Sequence, residues 1–259
     1  MTEWNPAAYV RRSGLQAAMA DEALALLRLN GNERILDIGC GDGRITAEIA
    51  TRLPNGSILG VDASQDMIAY ACGHDDRPNI SFQVADAANL PFHNEFDLIV
   101  SFNALHWLPD PNPPLRSIRR AMKPNSRAQL RLVPDGPRKS LETVIEETRK
   151  SPPWANYFQN FRDPYLHVTP EEYTQAAQRN GFRVERMRTS NHSWDFHTRA
   201  DFFAFGSVTF VEWTRRIPDA EKTVFISNVL DNYEKVAAAS PTEAHIFKFY
   251  QLDITLSPT

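Results

Sequence analysis

The sequence is poor in cysteine, has no long apolar run and carries no excess of positive charge, and each shortage removes a class of protein. Cys40 and Cys72 are the only cysteines in 259 residues, with no Cys-x-x-Cys pair and no partnering histidine at ligand spacing. Neither a disulfide framework nor a zinc site is indicated, and no bound metal is expected. Lys and Arg number 28 against 32 Asp and Glu, a net charge of −4 without a basic stripe. Little is therefore available to neutralise a phosphate backbone, which argues against a nucleic-acid partner. The apolar runs fall far short of the roughly 18 residues that a membrane span requires. The opening residues MTEWNPAAYVRRSG also lack the apolar stretch of a secretory signal, so the expectation is a cytoplasmic protein with no membrane partner.

What is present is a regular alternation. Residues 21–29 read as a helix, and Arg34 to Ile38 as a short apolar strand closed by Gly39, Gly41 and Gly43. Ile45 to Arg52 reads as a helix, Ser57 to Asp62 as a strand, Gln65 to Cys72 as a helix and Ile80 to Val84 as a strand. Phe96 to Phe102 is almost wholly apolar, which suits a strand buried on both faces. Pro113 to Met122 reads as a helix opened by prolines, and Ala128 to Val133 as the next strand. Strands and helices in this rhythm predict an α/β fold: a Rossmann-like, doubly wound sheet with right-handed crossovers. After Pro134 the rhythm breaks, with further strands expected at about 182–189 and 245–256. The chain thus divides into 1–134, N-terminal helices and ligand-binding core, and 135–259, the remaining core strands with a helical cap at about 135–180 and 195–240.

The aromatic residues are unevenly spread. Of 27, 14 lie between Trp154 and Trp213. Such an excess encloses apolar volume, either as the packing of irregular helices or as the wall of a ligand pocket.

Asp37-Ile-Gly39-Cys40-Gly41-Asp-Gly43 joins a strand to a helix, where glycines allow a tight turn and close backbone approach by a ligand. It is not the dinucleotide fingerprint G-x-G-x-x-G, because the sixth position counted from Gly39 is Arg44. A carboxylate at Asp37 repels a pyrophosphate and attracts an ammonium or sulfonium group. Asp62 ends the second strand, where a carboxylate can accept hydrogen bonds from both hydroxyls of a ribose. Two acids and three glycines in this register describe a pocket for a cationic nucleoside.

The runs ILDIGCGDGRITAEIA, GVDAS, VADAANLPF and FDLIVSFNALHWLPD resemble class I S-adenosylmethionine-dependent methyltransferases, over roughly residues 30–133. The resemblance implies seven strands with the last antiparallel, and S-adenosyl-L-methionine as cofactor. It places Asp37, Gly39 and Gly41 at the methionine end, Asp62 at the ribose, Asp86 at the adenine amino group with Ala87 beside it, and Asn103 near the sulfonium, with Cys40 and Ala63 among the cofactor contacts.

The segment after the fourth strand bears on the acceptor. Some amino methyltransferases place Asn or Asp there, followed by Pro-Pro and an aromatic residue, to receive hydrogen bonds from a planar NH2. Here Asn103-Ala-Leu-His-Trp-Leu-Pro-Asp follows the strand, whereas Asn112-Pro113-Pro114-Leu115 ends in leucine and reads as a loop leading into a helix. Trp4-Asn5-Pro6 with Tyr9 is similar to the start of trans-aconitate methyltransferases. Tyr9-x-x-x-Ser13-x-x-Gln16, with Leu105-His106-Trp107, is similar to juvenile hormone acid methyltransferases. Both families esterify carboxylates, and the second implies Gln16 and Trp107 as the donors that hold the acceptor carboxylate. A carboxylic acid is already an anion at neutral pH, so no general base is needed.

The acceptor is therefore expected to be a small molecule, with the aromatic cap over it: Tyr9, Gln16, Trp107, Trp154, Tyr157, Phe161, Phe205 and Trp213 are the candidate acceptor contacts. Arg149, Arg162, Arg179 and Arg199 leave the polarity of that acceptor open. Arg116, Arg119, Arg120, Lys123 and Arg127 read as a solvated helix face and its C-terminal turn. Two alternatives stay open. His106, whose ordinary pKa lies near working pH, could serve as a base for C- or O-methylation of an apolar natural-product or isoprenoid-like acceptor, as could Tyr157, Tyr165, Glu171 or Glu212 in the cap. The chain could also bind the cofactor without turnover. The sequence does not speak to oligomeric state.

Overall fold

The order of strands across the sheet, β3-β2-β1-β4-β5-β7-β6, puts a reversal between β1 and β4. In the computed structural model, residues 14–259 are described, except for the side chains of Gln16 and Ala17. Helix α1 (Gly14–Leu26) precedes β1 (Arg34–Ile38), α2 (Arg44–Thr51), β2 (Ser57–Asp62), α3 (Gln65–Cys72), β3 (Ile80–Val84) and β4 (Phe96–Phe102). Then come α4 (Asn112–Ala121), β5 (Met122–Leu132), α5 (Leu141–Lys150), α6 (Pro170–Arg179) and β6 (Phe182–Asp195). Helices α7 (Arg199–Thr209), α8 (Val211–Thr214) and α9 (Asp219–Ala237) lead to β7 (Ile246–Pro258). Strand β7 is antiparallel to both neighbours while the first five strands pair in parallel, as expected for this seven-strand fold.

Three elements depart from expectation, each for a local reason. Helix α1 starts earlier and stops at Leu26, because the Arg52 guanidinium donates to the carbonyls of Leu24 and Leu27 at 2.9 and 2.8 Å and satisfies the orphan acceptors of its last turn. Strand β5 starts at Met122 instead of Ala128, since Met122 pairs with Phe96 before the register slips around Pro124 and resumes at Arg127. The last two strands run on into a long antiparallel ribbon: Ser190 to Asp195 pairs with Gln251 to Ile246, beyond the reach of β5. The polar stretch Thr189 to Asp195 has little apolar periodicity of its own, and its strand exists because β7 is there to pair with.

Each sheet face buries a separate apolar cluster. On one, Leu115 and Ile118 of α4 and Tyr173 and Ala176 of α6 pack with Ile99, Leu130 and Ile254. On the other, Ala23 and Leu27 of α1 and Ile49 of α2 pack with Ile35, Leu98 and Val100. A third cluster belongs to the cap, where α5, α8 and α9 close over Phe247 and Phe249 of the ribbon. Among the described residues no helix is long and apolar enough to cross a membrane.

Candidate active site

The reversal between β1 and β4 opens a crevice at the carboxyl ends of the strands, the usual ligand position in open α/β sheets. The loop after β1 closes its floor. Gly39 has φ +75°, and an added Cβ would lie 2.1 Å from the Ala104 Cβ, so the loops after β1 and β4 can approach only at glycine. Gly43 serves packing instead. A Cβ there would come within 2.8 Å of Ala71 and Phe82, so its bareness lets α2 start against the sheet. The result is a cavity of about 330 Å³ lined by Gly39, Gly41, Asp62, Ala63, Asp86, Ala87, Asn103 and Trp107, among others.

Asp62 organises the wall. Its two carboxylate oxygens accept from the backbone N–H of Gly41 at 3.0 Å and of Ser64 at 2.8 Å, which ties the glycine loop to the start of α3. A carboxylate has about four lone-pair sites, so acceptor capacity remains for a pair of hydroxyls. Burial pushes its pKa up, while the backbone donors hold it back. Asp86 accepts from the Ala88 N–H at 2.8 Å and caps the turn that brings Ala87 to the cavity.

Asp37 lies beneath the loop instead of on the cavity wall. It is 2% exposed, takes the Thr46 hydroxyl at 2.6 Å, and is pushed up to about 7 by burial, with the hydroxyl opposing and the nearby Asp62 charge adding to the rise. Cys40 is likewise buried behind the loop and does not line the cavity.

Asn103, just after β4, has φ +59°, a left-handed conformation that asparagine tolerates better than most residues. Its backbone N–H donates to Arg131 O at 2.8 Å, and its side-chain Oδ1 accepts from Gln251 Nε2 at 3.0 Å. The next turn separates two residues adjacent in sequence. Trp107 lines the cavity, while His106 is 5% exposed, with Nδ1 accepting from the Val133 N–H at 3.2 Å. That bond leaves its remaining proton on Nε2, and burial lowers its pKa to about 3.

The aromatic candidates of the cap occupy different places. Trp213 is fully buried, donates from Nε1 to Glu146 Oε1 at 2.8 Å, and touches Trp107. Trp154 is buried against Phe225 with its indole N–H on Asn228, and the Tyr157 hydroxyl donates to Glu221. Phe161 packs beside Trp213 under Arg149, and Phe205 packs on Phe196 and Phe247. Of the described aromatic candidates, Trp107 lines the cavity, while Trp154, Tyr157, Phe161, Phe205 and Trp213 lie outside it. The excess between residues 154 and 213 mostly fills a second core, which a cap standing beyond the sheet needs for its own burial. Tyr9 lies outside the described residues, as does the side chain of Gln16, whose backbone belongs to the first turn of α1.

Sequence reasoning missed Ser64, Met67, Ala85, Leu105 and Leu108 on the wall and Gln251 behind it. Ser64 carried a signal, since it caps α3 through the Met67 N–H shortly after Asp62. Gln251 carried one too, as an amide within the otherwise apolar-alternating β7.

The lining suits a cationic nucleoside. Asp62 and Asp86 face it with Asp37 buried behind them, and no Arg or Lys is among the described lining residues. A methyltransferase domain matches residues 35–125. The trans-aconitate 2-methyltransferase of Methylobacterium radiotolerans is 29% identical over 83% of this chain and 79% of its own length. That of Shigella dysenteriae is 27% identical over 88% of this chain and 87% of its own. The phosphoethanolamine N-methyltransferase 2 of Haemonchus contortus, solved with S-adenosylhomocysteine and phosphomonomethylethanolamine, shares the fold at TM-score 0.61 and 17% identity, over 92% of this chain and 53% of that one. Strand order, acidic cavity and the domain match over residues 35–125 together support a class I S-adenosylmethionine-dependent methyltransferase, resembling the trans-aconitate methyltransferase group.

Proposed function

We propose that the chain methylates a carboxylate oxygen of a small molecule by direct displacement. The observation that carries this is the lack of a base at the acceptor end among the described residues. Asp62 and Asp86 are the only ionisable groups on the described lining, and both are engaged with the backbone on the cofactor side. His106, the nearest histidine in sequence, is buried and held neutral, which works against a role in proton removal. An acceptor already ionised at neutral pH requires no such group, and a carboxylate meets that condition. The trans-aconitate 2-methyltransferases to which the chain is similar support the same acceptor class.

S-adenosyl-L-methionine supplies an electrophilic methyl group when bound. Asp62 would hold the ribose hydroxyls, Asp86 and Ala87 the adenine edge, Gly39 and Gly41 the methionine end, and Asp37 would add negative potential beneath it. Trp107 faces the same cavity beside Leu105 and Leu108, an apolar wall that would limit water around the acceptor carboxylate. Its indole N–H, with the Gln16 amide, would orient one carboxylate oxygen while leaving the other for attack. Neutral donors do this without quenching the nucleophile, and orientation in a dry site supplies the rate.

Gln16→Ala and Trp107→Phe test the assignment. Each is expected to lower kcat by about tenfold or more, the worth of one hydrogen bond to a charged group, with cofactor affinity nearly intact. Equal loss of cofactor binding in both variants contradicts it.

A further inference from the structure

Among the described residues, Gln251 is the one fully buried amide side chain that touches a residue of the cavity wall. It lies on β7, is 0% exposed, and donates from Nε2 to Asn103 Oδ1 at 3.0 Å. Its own Oε1 has no hydrogen-bond partner, although it is buried. A buried carbonyl left unpaired is uncommon and calls for an explanation. The placement of Asn103 provides one.

Asn103 follows β4 in a left-handed conformation, with its backbone N–H held by Arg131 O, and it lines the cavity. An asparagine amide has an acceptor end and a donor end. The acceptor end is turned toward Gln251, so the NH2 is the end left for the cavity. Rotating both amides would pair Asn103 Nδ2 with Gln251 Oε1 and leave the Gln251 NH2 as the buried group without a partner; the arrangement seen instead has Gln251 donating and its Oε1 unpaired.

We infer that Gln251 is a positioning residue that fixes the Asn103 amide with its NH2 toward the cavity, making this end of the site selective for anionic acceptors over amines. The inference rests on the carboxylate reading for its substrate class, but the amide orientation does not. An amine acceptor needs a hydrogen-bond acceptor at this position, and the Asn103 Oδ1 is instead turned toward Gln251, which takes one of its two lone pairs. A carboxylate instead finds two N–H donors on a side chain whose rotation has already been stopped, which removes part of the ordering cost of binding.

The experiment is side-chain amide NMR on the 15N-labelled full chain saturated with S-adenosylhomocysteine. The Gln251 NH2 is expected to be protected from solvent exchange, and the Asn103 NH2 to exchange faster and to shift on addition of hexanoate but not hexylamine. Protection of the Asn103 NH2 together with indifference to hexanoate overturns the inference. Gln251→Met frees the Asn103 amide and is expected to weaken hexanoate binding by about tenfold, leaving S-adenosylhomocysteine affinity within twofold. Gln251→Glu, measured at a pH high enough to ionise the buried carboxyl so that it can only accept, is expected to turn the Asn103 NH2 inward so that it becomes the protected amide. Hexanoate affinity unchanged in Gln251→Met overturns the inference, and should the variants fail to fold, the exchange measurement on the unaltered chain decides. An exchanging, hexanoate-sensitive Asn103 in a chain that forms no ester would refute the proposed reaction while leaving the amide orientation in place.

Discussion

The indoles of Trp107 and Trp213 meet edge to face, with ring centroids 6.3 Å apart and planes inclined by 62°. Trp107 belongs to the cavity and Trp213 to the core of the cap, so this contact joins the two. Trp213 is held in turn by Glu146, which also receives Arg149 at 2.6 Å. Trp213→Ala removes a fully buried side chain and a hydrogen bond to a buried carboxylate, and is expected to destabilise the chain by about 3–5 kcal/mol. Trp213→Phe keeps an aromatic edge and is expected to lose about 1.5–3 kcal/mol for the lost hydrogen bond to a charged group, Glu146 Oε1 remaining paired with Arg149 Nε at 2.7 Å. For kinetics, Trp213→Phe should lower kcat while leaving cofactor affinity unchanged. Thermal melts, initial rates and isothermal titration with S-adenosylhomocysteine check the three outcomes in turn.

Asp62 serves the loop and the ligand together, because its oxygens bridge Gly41 and Ser64. Asp62→Ala should weaken S-adenosylmethionine binding by about 1.5–3 kcal/mol for each charge-assisted hydrogen bond lost, a drop of at least tenfold. The KM for the acceptor should change far less. Calorimetric titration of the variant measures the first, and initial rates at saturating cofactor the second.

The Asp37 carboxyl gives the free protein a distinctive pH response. Its folded pKa of about 7 lies above the ordinary carboxylate value, so its contribution to stability is present in full at acid pH and is lost as pH rises from about 3.8 through about 7. A cationic ligand favours the ionised form, so affinity for S-adenosylmethionine should strengthen through the same upper range and level off above it. Asp37→Asn is expected to flatten this profile and to bind more weakly at pH 8. Binding titrations at half-unit pH steps provide the check.

His167 lies between Asp163, 3.0 Å from its Nε2, and Asp135, 3.3 Å from its Nδ1, joining the loop after β5 to the loop before α6. Hydrogen bonds to the two carboxylates raise its pKa to about 10. The stabilisation is therefore complete below the ordinary histidine value of about 6.5 and is lost as pH climbs through about 10. His167→Gln should show its largest stability deficit at pH 6 and a small one at pH 10.5, as read by denaturant midpoints at the two pH values.

Much of the core was legible because two signals coincided there. The apolar strands Arg34–Ile38 and Phe96–Phe102 have the period and length of buried parallel strands, and the glycines after Asp37 mark where a backbone must bend and another must come close. Asp62, Ala63 and Asn103 on the cavity wall sit at or just after strand ends, so their placement came with the alternation. The cap was less legible. Trp154, Tyr157, Phe161, Phe205 and Trp213 have the composition of a ligand pocket and of a hydrophobic core alike, and only tertiary packing separates the two. The extension of β6 to Asp195 depended on pairing with a strand more than fifty residues later. Gln251 and Asn103 are 148 positions apart, and no local pattern announces their bond.

The most direct test of the account is the fate of the methyl group. The chain is incubated with methyl-labelled S-adenosylmethionine and a panel of small carboxylic acids, phenols, amines and isoprenoid alcohols, and each product is analysed by mass before and after mild alkali. The account predicts label on a carboxylic acid as a methyl ester, released as methanol by base. Label that is stable to base on carbon, nitrogen or an ether oxygen, or no transfer to any carboxylate across the panel, would contradict it.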